Sequence, residues 1–286
     1  MRFSVSTYSF ASLMQSDGMT QLDCFVMAKS LGYGAVEVVG MQLPEGMAPA
    51  DYADTLRKQS QETGLPISNY TIQADFLTGS EGDSDKEIRR VMSEIDLAER
   101  MGAKSVRHDA TMGYSGSAYQ SFDRVLPKLA ECCRAVTRYA QTKGISTMVE
   151  NHGYFAQDSE RVEQLFNAVG EENFGLLVDM GNFLCADEDP VRAVARVAPY
   201  ARYVHAKDFL WRTGTQTDPG PGFFPTRGGN LIRGTIVGHG VVPVDQCLRI
   251  LRRAGFDGTV AVEFEGLERV QEALAIGLQN LRRFTA

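Results

Sequence analysis

Histidine and tryptophan are scarce in this chain, four and one respectively among 286 residues. Other absences narrow the possible functions before any motif is read. The five cysteines, Cys24, Cys132, Cys133, Cys185 and Cys247, are odd in number and never in Cys-x-x-Cys spacing, so neither a disulfide framework nor a cysteine zinc cage is expected. They read as reduced, mostly buried thiols. No stretch of about 18 or more apolar residues occurs, so no membrane span is expected. The start of the chain, Met1-Arg2-Phe3-Ser4-Val5, lacks the charged and apolar regions of a secretory leader, and a cytoplasmic location is the expectation. Lys and Arg number 29 against 36 Asp and Glu, a formal charge of -7. With no basic stripe, nucleic acid is not an expected partner. The turn after the first apolar segment, Tyr8-Ser9-Phe10-Ala11-Ser12, contains no glycine, which argues against an open dinucleotide-binding sheet.

What is present is alternation. Apolar strand-like runs at 3–8, 35–39, 66–70, 104–108, 145–149, 174–178, 201–205 and 259–264 are separated by segments with helical periodicity at 19–31, 50–63, 85–101, 119–142, 159–168, 190–197 and 244–254, and a last one follows at 267–283. Several of these helices stop at a glycine just before the next strand, as at Gly32, Gly64, Gly102 and Gly144. A Gly/Ser loop is expected at 112–117. Eight strand-then-helix units imply parallel strands joined by right-handed crossovers, and eight is the count that closes a barrel. The fold class expected is therefore a single α/β domain over 1–286, a (β/α)8 TIM barrel. A long loop at about 209–240, rich in Gly, Pro, Arg and Thr, reads as a lid or a subunit interface.

The chemistry lies where the late strands end. Met148-Val149-Glu150-Asn151-His152-Gly153 passes abruptly from apolar to polar, and three such groups at a strand end are too costly to bury without partners. The pattern recurs in Val178-Asp179, in Tyr203-Val204-His205 and in Val262-Glu263. Glu150, Asp179, His205 and Glu263 are expected to converge on one divalent metal. A mixed oxygen and nitrogen set suits manganese, the expected ion, with cobalt, magnesium or zinc as alternatives. The competing reading has each residue capping a helix or pairing with a barrel arginine. Glu263 and Glu265 share a strand face, so spacing alone does not choose between them.

These motifs, Glu150-Asn151-His152-Gly153, Asp179-x-Gly181-Asn182, His205-x-Lys207-Asp208, Gly238-His239-Gly240 with Pro243, and Glu263 in that order, resemble those of the xylose isomerase-like barrel superfamily of sugar isomerases, epimerases and dehydratases. The resemblance implies that Glu150, Asp179, His205 and Glu263 bind the metal. It also implies that Glu150 and Glu263 act as the acid and base of an isomerase or epimerase working on a sugar or cyclitol through a metal-stabilised enediolate. Asn182 departs from the histidine found in ketose 3-epimerases and altered sugar recognition follows. His152 is placed to protonate a leaving group, and a metal-dependent lyase or dehydratase acting on an inosose or keto-sugar is the alternative. The four histidines are too few for the trinuclear site of an abasic-site endonuclease. Substrate contacts are expected from Glu37, His108, Lys207, Trp211, Arg212, Arg227 and His239. The expected partners are a small carbohydrate and further copies of the chain, as a dimer or tetramer.

Overall fold

A computed structural model of the chain describes residues 1–113, 121–217 and 219–286. The chain-order elements up to the middle of the molecule are β1 (Arg2–Ser6), α1 (Ala11–Ser16), α2 (Gln21–Leu31), β2 (Ala35–Val39), α3 (Pro49–Thr63), β3 (Ile67–Ile72), α4 (Ser84–Met101), β4 (Ser105–His108), α5 (Phe122–Thr142) and β5 (Ser146–Glu150). There follow α6 (Ser159–Val169), β6 (Phe174–Asp179), α7 (Pro190–Val197), β7 (Ala201–Ala206), β8 (Asp208–Arg212), β9 (Phe224–Pro225), β10 (Leu231–Thr235), α8 (Val244–Arg253), β11 (Thr259–Val262) and α9 (Val270–Thr285). The expected start of the fifth helix at 119 and most of the loop 112–117 lie outside the described residues.

Eight strands pair in parallel and close on themselves in the order β1-β11-β7-β6-β5-β4-β3-β2, the single-domain TIM barrel that the alternation implies. Local sequence accounts for the helices. Thr20 and Asp23 form a reciprocal capping box at the start of α2, and Gly32 ends it in the left-handed region, where a side chain would be strained. Val91, Ile95 and Ala98 put the apolar stripe of α4 against the barrel wall, while Asp83 accepts the Lys86 N–H as its N-cap. All five cysteines are free and buried. No helix among the described residues is long and apolar enough to cross a membrane.

Two elements differ from the sequence expectation. A short helix, α1, follows the first strand where only a connection was read. More consequentially, the segment expected to be a loop forms a three-stranded antiparallel sheet, β8-β10-β9. Asp208–Arg212 pairs with Leu231–Thr235 in antiparallel register, so the Gly- and Pro-rich composition marks the turns between short strands. Asp208 anchors the return: its carboxylate accepts the backbone N–H groups of Phe209, Gly238, Gly240 and Val242 at 2.8–3.0 Å. A Cβ at position 240 would lie 2.2 Å from Asp208 Oδ1, so this turn requires glycine.

Candidate metal and proton-transfer site

Below the C-terminal mouth, Met148, Leu177, Tyr203 and Ala261 form a buried interior cluster. Strand side chains alternate between faces, so the residue two positions further along each strand points the same way, one layer up. Those residues are Glu150, Asp179, His205 and Glu263. Sheet register supports the alignment, with Asp179 beside His205 and Ala261, two before Glu263, also beside His205. One ligand atom from each of the four lies within 4.8 Å of the others, and all four are buried.

His205 organises the group. Its Nε2 lies 2.7 Å from Glu37 Oε2, which assigns the Nε2 proton to that bond and turns Nδ1 inward. Nδ1 then stands 3.6 Å from Glu150 Oε1, 3.6 Å from Asp179 Oδ2 and 3.5 Å from Glu263 Oε2. Neither His205 Nδ1 nor Asp179 Oδ2 has a hydrogen-bond partner among the described residues, though both are buried. A buried polar atom left in that state costs about 1–3 kcal/mol, and more when charged. Ligands held about 2.0–2.2 Å from one ion lie up to about 4.4 Å apart, so a few tenths of an ångström of side-chain movement suits the set to a divalent cation. The orphaned pair and the surplus of carboxylates fit such an ion.

The remaining contacts fix each of the four side chains. Asn182 Nδ2 donates to Glu150 Oε1 at 2.9 Å, and Arg107 Nε lies 2.6 Å from Glu150 Oε2 without its N–H being aimed at that oxygen. Asp179 Oδ1 accepts the N–H groups of Gly181 and Asn182, both at 2.8 Å. Gly181 is needed there because a Cβ would come within 2.9 Å of the Lys207 carbonyl and the Phe209 ring. Asn151 bonds the Asp179 backbone through both ends of its amide. Lys207 Nζ stands 2.6 Å from Glu263 Oε2, 3.4 Å from Asp179 Oδ2 and 3.6 Å from Glu265 Oε2.

Electrostatics separates these groups. Burial works against ionisation of Glu263, but the charges of Lys207 and His205 overcome it and hold the carboxyl well below its usual range. Glu150 is lowered in the same way by Arg107 and His205. Glu265, two residues on, goes up through burial and the repulsion of Glu263 and Asp179, despite Lys207. Burial likewise opposes charge on His205, and the carboxylates of Glu37, Glu263 and Glu150 outweigh it, raising the imidazole well above its usual value. A cation bound through Nδ1 would therefore displace a proton from His205 and would be held more weakly in acid.

Sequence reasoning missed two residues at this mouth. Arg107 is one, and Asp109 is the other. Arg107 pairs with Asp109 at 2.9 and 3.2 Å, and Asp109 Oδ1 is 2.9 Å from His152 Nδ1. His152, with its side chain 38% exposed, borders a cavity of about 570 Å³ together with Arg107, Glu150, Lys207, Glu263 and Glu265. Burial alone would lower the His152 pKa; the hydrogen bond and charge of Asp109 reverse that and raise it.

Among the expected substrate contacts, Lys207 lies at the cavity and Glu37 is fully buried behind His205. The Glu37 carboxylate takes Asn69 Nδ2 at 2.9 Å, Thr71 Oγ1 at 2.7 Å and His205 Nε2, so it orients a ligand. Glu37→Gln is expected to weaken divalent cation binding about 10- to 100-fold with the fold intact, as titration calorimetry and circular dichroism would show. Trp211, Arg212, Arg227 and His239 are not brought to the cavity. Trp211 and Arg212 are exposed at the C-terminal end of β8, Arg227 ties the antiparallel sheet to Asp158 at 2.9 Å, and His239 is exposed in the turn before α8.

His108 points to the helix side of β4, with Nδ1 2.9 Å from the Asp109 carbonyl and its ring edge-on to Phe76. Burial pushes it down to about 4. Its unfolded value is about 6.5, so between those limits the unfolded chain binds a proton that the folded chain refuses. Stability is complete above pH ~6.5 and lost as pH falls towards 4, on the order of 3 kcal/mol from this group. Urea denaturation at neutral and acidic pH should show a smaller acid loss for His108→Gln than for the parent.

A family model described as xylose isomerase-like TIM barrel matches residues 25–283. The chain is 27% identical over 227 residues to the rhizopine catabolism protein MocC of Rhizobium meliloti, covering 72% of this chain and 66% of that one. It is 26% identical over 140 residues to inosose dehydratase 1 of Bacillus cereus, covering 48% of this chain and 46% of that one. The chain thus spans about two thirds and about half of the lengths of these relatives. A solved structure described as IOLI protein with a binding zinc atom shares the fold, with a TM-score of 0.77 at 16% identity over 99% of this chain and 98% of that one.

Proposed function

The chain belongs to the xylose isomerase-like TIM barrel family, and from that premise we propose that it is a divalent-metal-dependent enzyme of keto-sugars or inososes that eliminates a hydroxyl β to a carbonyl. The observation that carries this reading is the Asp109–His152 pair. It adds to the two carboxylates a third proton-transfer group on the same cavity, two residues beyond Glu150. The likeness to an inosose dehydratase supports the same class. The favoured ion is manganese.

Glu150, Asp179, His205 and Glu263 would hold a divalent ion, which when bound would supply a Lewis acid for the substrate carbonyl oxygen. Glu150 or Glu263, each ionised, takes the proton on the carbon beside that carbonyl. As the C–H pair forms the new C=C bond, the C–O bond to the β-hydroxyl breaks and its oxygen receives a proton from His152, so the leaving group is water. Asp109 holds His152 through Nδ1, which leaves Nε2 as the donating atom. Arg107 fixes both Asp109 and Glu150, so acid and base keep a constant separation. Lys207 contributes a positive charge beside Glu263 and Asp179.

One observation favours a second reading, isomerase or epimerase: two carboxylates, Glu150 and Glu263, border the cavity from different strands, which is the arrangement that returns a proton to another face or carbon. Incubation of manganese-loaded protein with a panel of inososes and ketoses in deuterated water separates the two. Loss of water from the product supports elimination. Deuterium incorporation with mass otherwise retained would instead support the second reading.

A further inference from the structure

We propose that the substrate extends beyond a single polyhydroxylated ring and carries an uncharged, ring-sized apolar group lodged over the ends of β2 and β3. This rests on the reading of the barrel mouth as the reacting site. The cavity bordered by His152, Glu150, Glu263 and Glu265 has a second, chemically different wall. Val39, Met41, Leu43, Pro49, Ile72 and Leu97 line it, from β2, the loop that follows, the start of α3, β3 and α4. The volume of about 570 Å³ lies within the range that encloses drug-sized ligands, more than one sugar ring needs.

Hydroxyl-rich rings are poorly matched to such a wall, because each hydroxyl placed against it loses water without gaining a hydrogen bond. The charged groups at its outer edge are already committed. Arg90 bonds Glu87 at 2.7 and 3.0 Å and the Gln73 carbonyl at 2.6 Å, and Glu94 accepts the Tyr70 hydroxyl at 2.7 Å. No free cation remains on this side, among the described residues lining the cavity, for a phosphate or carboxylate. Leu43 is 42% exposed, a large apolar side chain left in water on the wall of the same cavity, and the Met41 thioether is a favourable neighbour for an aromatic face. A keto-sugar joined to an aryl group satisfies both walls at once, the ring over the carboxylates and the aryl group against Leu43.

The test is equilibrium binding, which needs no turnover. Phenyl β-D-glucoside and methyl β-D-glucoside are titrated calorimetrically into the manganese-loaded chain and into Leu43→Asp, a change on an exposed loop position. The phenyl compound should bind at least about tenfold more tightly to the parent, and Leu43→Asp should bring the two affinities to within about threefold. Equal affinity in the parent, absence of phenyl glucoside binding, or a preference untouched by Leu43→Asp overturns the proposal. A clear phenyl preference in a protein that removes water from no inosose would uphold this inference while refuting the proposed reaction, so the two fail separately.

Discussion

His152→Gln is expected to lower the rate of water loss by about 10²- to 10⁴-fold while solvent deuterium still enters the substrate beside its carbonyl. The asymmetry follows from the division of labour at the mouth. In the proposed mechanism proton removal belongs to Glu150 or Glu263, whose carboxylates stay ionised, and the imidazole 2.9 Å from Asp109 Oδ1 acts only on the departing oxygen. Glutamine keeps approximate size and polarity but has no proton to transfer. Mass spectrometry of products formed in deuterated water reads both events in one sample. Undiminished water loss would remove His152 from the mechanism and leave the leaving-group proton to another donor. Loss of exchange and elimination together would make His152 the base instead.

Asp179→Asn is expected to reduce turnover by about 10³-fold or more, since removal of the Lewis acid forfeits several kcal/mol of transition-state stabilisation. Asp179 is the informative ligand because the mechanism gives it no proton to carry. Its Oδ1 accepts two backbone N–H groups, a task an asparagine carbonyl repeats, while the orphaned Oδ2 becomes an amide nitrogen that cannot ligate. Activity should fall without a matching fall in thermal stability. Full activity in the variant would separate Asp179 from the chemistry.

The barrel and the clustering of Glu150, Asp179, His205 and Glu263 were legible because both follow from periodicity. Each of the four stands at the polar end of an apolar run, two residues past an interior side chain, and four such ends in succession are hard to produce by chance. Parity misled the reading on β4. In Ser105-Val106-Arg107-His108 either alternate set fits the barrel interior, and nothing in the sequence says that Val106 and His108 face the helices while Arg107 faces the mouth. Asp109 lies beyond the strand, where no period applies, and is revealed only by its contacts with Arg107 and His152. The antiparallel sheet was hidden for a related reason. Its strands are short, and Leu231–Thr235 contains a glycine where a Cβ would meet the Glu265 backbone at 2.8 Å, so a close tertiary approach appears in the sequence as a loop signal.

Titration calorimetry of the chelator-stripped chain with manganese at neutral pH tests the shared cation site most directly. One tightly bound ion per chain is expected, with proton release on binding because His205 must lose its proton, and with loss of that binding in Asp179→Asn. A folded chain that takes up no divalent ion, or one whose binding is unchanged in Asp179→Asn, would contradict it.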